Sequence, residues 1–93
     1  MMEEENNRTL LENQLVDAIH DSLNNHMYSN ATFLAERLLA EKDNEESRGL
    51  LADCYMAENK FYKVTAILKD SKSDANRYKF ALSCMKTNKF KDG

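Results

Sequence analysis

The first residues to ask about reactive chemistry in this 93-residue chain are two histidines, two cysteines and its carboxylates. His20 and His26 stand six apart, one in a helical pattern and one in a turn, and neither belongs to an HExxH motif or a spaced Cys/His ligand set. Cys54 and Cys84 fall on the apolar faces of two different helical segments, where small thiols commonly fill core space. That reading favours packing over a redox pair. Asp17, Asp21, Glu36 and Glu41 recur at helical spacing, but an acid–base pair needs a pocket that perturbs its pKa values. They read as a solvated face. Two glycines are too few for a phosphate-cradling loop. The expectation is a non-enzyme with no cofactor, metal or small-molecule substrate.

The elements that would carry these residues are all helical. The chain has no proline and is rich in Leu, Ala, Glu and Lys, so nearly every strong helix breaker is missing. Residues 1–8 read as a disordered acidic tail. Leu11, Leu15, Ile19 and Leu23, with Val16 beside them, repeat at every fourth position and predict a first helix from about Leu10, ending around Asn24 to His26. Ser29 is the expected N-cap of a second helix bearing Ala31, Phe33, Leu34, Ala35, Leu38 and Leu39, to about Lys42. Asp43 or Asn44 caps a third, with Glu45 and Glu46 in its first turn and an apolar face of Leu50, Leu51, Cys54 and Tyr55. Gly49 inside that helix costs about 1 kcal/mol against alanine, so it weakens the helix unless a neighbour packs too closely for a side chain. A fourth helix carries Phe61, Val64, Ile67 and Leu68 and ends near Ser71. After a cap at Ser73 or Asp74, a fifth carries Tyr78, Phe80, Ala81, Cys84 and Met85.

No segment approaches the roughly 18 apolar residues of a membrane span, and no leader-like segment precedes the body, so an intracellular, soluble chain with reduced thiols is expected. Charge is unevenly distributed. Residues 1–59 hold 4 basic and 13 acidic side chains, whereas residues 60–93 hold 9 basic and 3 acidic ones. Such a dipole suits an acidic partner or two copies meeting head to tail, or is simply a segregation of solvated helix faces. The lysines are spread over several helices with no basic-aromatic signature, which argues against nucleic acid.

The sequence also repeats itself. ADCYMAENKF, from Ala52, and ALSCMKTNKF, from Ala81, agree at Ala, Met, Asn, Lys and Phe. A fainter copy lies upstream, where Tyr28 and Ala31 are spaced as Phe61 and Val64 are and again follow a polar turn. Each unit is a helix, a short polar turn with Asn or His, an aromatic that opens a second helix, and a slim residue three positions later. Units of this kind stack to bury faces that no single helix pair could bury alone.

These features resemble the tetratricopeptide repeat. The resemblance implies an all-α helix-pair solenoid of about two and a half repeats and five helices: repeat 1 over 9–42, repeat 2 over 43–72, and the first helix of repeat 3 over 73–93. It places Tyr28, Ala31, Phe33, Leu34 and Leu38 in the core of the first unit, and Leu51, Ala52, Tyr55, Phe61, Val64 and Leu68 in that of the second. Phe80, Ala81, Cys84 and Phe90 follow in the third, with Gly93 where the next helix would begin. The repeat-closing proline is missing throughout, and Val64 replaces the usual alanine.

More narrowly, YSNATFLAERLLAE, EESRGLLADCYMAENKFYKV and RYKFALSCMKTNKFKDG, read in that order, are similar to the opening repeats of the subunit-three family of anaphase-promoting complex (cyclosome) scaffolds. That resemblance implies a non-catalytic, nuclear and cytoplasmic scaffold in a cell-cycle ubiquitin ligase. Its partners would be a second copy of itself, bound as a homodimer, and other subunits of the assembly. The later repeats that bind co-activator tails have no counterpart here, so that role is not carried over. The alternatives are a sister scaffold subunit, or a peptide-binding tetratricopeptide adaptor or co-chaperone. The acidic first helices of repeats 1 and 2 count against an acidic peptide ligand.

Overall fold

A computed structural model of the chain describes residues 9–92, with side chains for 9–87. The expected tail at 1–8, the Phe90 side chain and Gly93 lie outside the described residues. Five helices make up the described fold: α1 (Leu10–Asn24), α2 (Tyr28–Glu41), α3 (Glu45–Ala57), α4 (Phe61–Leu68) and α5 (Asp74–Asp92). No strand occurs among the described residues.

Local chemistry sets most of the boundaries. Thr9 caps α1 by accepting from the Glu12 N–H at 3.1 Å, while Glu12 Oε1 accepts from the Thr9 N–H at 3.0 Å. This reciprocal box satisfies two of the amides that every helix start leaves open. Asn44 caps α3 in the same way with Ser47. Ser73 Oγ accepts from the Asn76 N–H at 3.2 Å and opens α5. Two helix-ending turns place a residue in the left-handed region, His26 at φ 60° and Asn59 at φ 63°. Both are residue types that tolerate it better than most.

Two expectations about boundaries are corrected. α2 starts at Tyr28 after Met27, with no side-chain cap, so Ser29 falls inside its first turn. The left-handed His26 reverses the chain at once, and the Met27 N–H reaches back to the Ser22 carbonyl at 2.8 Å, so helical geometry begins before Ser29. α4 stops at Leu68, short of Ser71. α5 runs unbroken from Asp74 to Asp92. Neither glycine nor proline interrupts the stretch from Ser83 to Asp92, so nothing local stops the helical ladder from continuing.

Turns of a few residues force α1 against α2 and α3 against α4 as antiparallel neighbours. α2 also packs on α3 and α4 on α5, while α3 touches both α1 and α5. The result is a stack with α1, α3 and α5 in one layer and α2 and α4 in the other. One continuous core runs through it, including Ile19, Ala31, Ala35, Ala52, Cys54, Val64 and Leu68. Alanine and valine at these contacts keep the backbones close, as stacked helix pairs require.

Candidate interaction surface

Of the residues expected in the repeat core, Ala31, Leu38, Leu51, Ala52, Tyr55, Phe61, Val64 and Leu68 are buried. Tyr28, Leu34, Phe80 and Cys84 are half-buried. Phe33 and Ala81 are exposed. Phe33 stands 61% open because the inward line of α2 is Ala31, Ala35 and Leu38, and a residue two positions from Ala31 lies about 200° round the helix. Ala81 is open because α5 presents Asn76 and Ser83, one heptad apart on the same face, to α3 and α4.

The residues able to do reactive chemistry take structural or solvated positions. His20, Asp17, Asp21 and Glu41 are exposed. His26 Nδ1 lies 2.8 Å from the Tyr28 hydroxyl, with the two rings edge to face. Glu36 Oε2 accepts from the Tyr55 hydroxyl at 3.3 Å and ties α2 to α3. Both cysteines are free thiols. Burial, followed by the nearby Asp53 and Glu58 charges, pushes the Cys54 thiol up to about 12, so it stays protonated. No cluster of three or more His, Cys, Asp or Glu side chains that could hold a metal occurs among the described residues.

A polar seam between α3 and α5 goes beyond the sequence reading. Asn76, only 3% exposed, donates through Nδ2 to the Glu45 carbonyl at 2.9 Å and to Glu45 Oε1 at 2.8 Å. The Lys72 N–H donates to the other Glu45 oxygen at 3.0 Å. The Lys72 N–H first, and the Asn76 amide second, hold the Glu45 carboxyl well below its usual range, at about 2, because both bind its charged form. One turn along, Lys79 Nζ pairs with Asp53 Oδ1 at 3.0 Å and donates to the Gly49 carbonyl at 3.3 Å. An open groove of about 340 Å³ runs beside this seam, with Glu46 and Leu50 in its wall. A signal for the seam exists in the sequence. Ser47 and Asn76 are offset just as Ala52 and Ala81 are, and both are buried polar residues in the first turn of their helices. Ser47 Oγ donates to the Lys42 carbonyl at 2.7 Å, at the end of α2, whereas Asn76 reaches past α4 to the start of α3.

The two ends of the stack differ in chemistry. The face of α1 turned away from the core carries the exposed Asn13, Gln14, Asp17 and Asp21. The corresponding face of α5 carries Tyr78, 69% exposed, Ala81, and Met85, 66% exposed, at the i, i+3, i+7 spacing of one helix side. Their counterparts in the preceding repeat are Gly49, Ala52 and Met56. Gly49 and Ala52 are buried, and Met56 packs against the core, because α4 and α5 cover that side of α3. The same repeat position is thus sealed in α3 and open in α5. Exposed apolar side chains grouped in this way mark a surface suited to another helix.

Comparison with known proteins bears on what such a stack belongs to. Residues 24–93 match the family described as anaphase-promoting complex, cyclosome, subunit 3. Over 77 residues the chain is 43% identical to cell division cycle protein 27 homolog A of Arabidopsis thaliana, covering 83% of this chain and 11% of that protein. Over 87 residues it is 38% identical to the human cell division cycle protein 27 homolog, covering 91% of this chain and 11% of that protein. The chain therefore spans about a tenth of the length of the curated relatives it matches.

Proposed function

Because this chain belongs to the anaphase-promoting complex subunit 3 family, we propose that it is a non-catalytic scaffold segment of that cell-cycle ubiquitin ligase, working in the nucleus and cytoplasm. In this reading its helix pairs, divided as 9–42, 43–72 and the opening helix 73–93, hold a surface in place for other helical chains. The partners are a second copy of the chain, as a homodimer, and other subunits of the assembly.

The observation that carries the proposal is the open face of α5. Tyr78, Ala81 and Met85 occupy positions that the preceding repeat buries at Gly49 and Ala52 and half-buries at Met56, so a further helical layer fits there, from the rest of a longer protein or from a second copy. The uneven charge supports contact between copies, because the acidic residues 1–59 attract the basic residues 60–93. Cys54 is held protonated in the core and Glu36 is tied into the contact between α2 and α3, which fits packing roles for both.

The test is affinity purification of the tagged full-length gene product from its own cells, with co-purifying chains identified by mass spectrometry. Recovery of other ubiquitin-ligase subunits together with an untagged copy supports both parts of the proposal. Recovery of the ligase subunits without an untagged copy removes the self-association, and recovery of the tagged chain alone overturns the scaffold role.

A further inference from the structure

We draw no further inference here: the strongest candidate, the exposed apolar face of α5 around Tyr78, Ala81 and Met85, belongs to the surface already described, and nothing in the structure shows what covers it.

Discussion

Asn76 of α5 occupies the space that a β-carbon on Gly49 of α3 would need. Such a carbon would lie 2.6 Å from Asn76 Oδ1, closer than side chains approach, and the Asn76 amide is pinned by its two bonds to Glu45. Gly49 is therefore what allows the third repeat's helix to dock on the second. Its cost in helix propensity is a condition of that contact.

Gly49→Ala would gain about 1 kcal/mol of helix propensity, against an overpacking cost of about 1 to 3 kcal/mol. We expect a net loss of stability in urea denaturation. In an Asn76→Ala background the clash is gone, and the same substitution should become neutral or stabilising. Equal effects of Gly49→Ala in both backgrounds would show that the two residues are not coupled.

Glu45 makes stability depend on pH. Its folded value, about 2, lies below its ordinary value of 4.5, so the unfolded chain binds the proton more readily between these limits. The contribution is complete above about pH 4.5 and declines as pH falls toward 2. Denaturation midpoints measured from pH 6 to pH 3 should fall less steeply for Glu45→Gln than for the parent chain. Parallel curves would refute the assignment.

Phe61 and Phe33 both fit the repeat core by sequence, and the structure separates them. Phe61 is 9% exposed, with Lys86 Nζ 5.5 Å from its ring centre, whereas Phe33 is 61% exposed. Phe61→Ala should cost about 3 to 5 kcal/mol, and Phe33→Ala less than about 0.5 kcal/mol. Comparable losses in the two variants would mean that α2 is rotated from the orientation described.

Cys54 should resist thiol reagents at pH 8 in the folded chain, since burial pushes its thiol up to about 12 and leaves almost no thiolate. Labelling with a chromogenic disulfide should consume the half-buried Cys84 first and reach Cys54 only on unfolding. Denaturant that speeds the slow phase would confirm that access to Cys54 requires opening. Rapid labelling of both thiols would contradict the packing between α2 and α3.

Met85→Asp tests the open face of α5. The side chain is 66% exposed, so the variant should fold as the parent does. If copies pair through this face, sedimentation should show the variant dissociating at concentrations where the parent stays associated. Unchanged sedimentation of a self-associating parent would move the contact elsewhere.

Much of the fold is legible in residue order because it depends on short-range rules. The recurrence of Leu and Ile at every fourth position from Leu11 to Leu23 specifies α1, and the echo of Ala52 and its neighbours in Ala81 and its neighbours reveals the stacking. The reciprocal cap of Thr9 and Glu12 is also written there as Thr-x-x-Glu, a signature of a helix start. The family match, over residues 24–93, takes in the three ordered stretches that begin YSNATFLAE, EESRGLLAD and RYKFALSC.

Tertiary structure decided which of several apolar sides turns inward. Phe33 and Ala31 sit in the same helical pattern, and only the positions of α1 and α3 around α2 put the alanine inside and the ring in solvent. Gly49 could have been a weak point or a close contact, and the choice needed Asn76, which arrives on the helix of the next repeat. The covered and open versions of one repeat face, Ala52 and Ala81, carry the same residue type. Sequence sets a helix's own periodicity through backbone geometry, but burial depends on the neighbours that arrive from elsewhere in the chain.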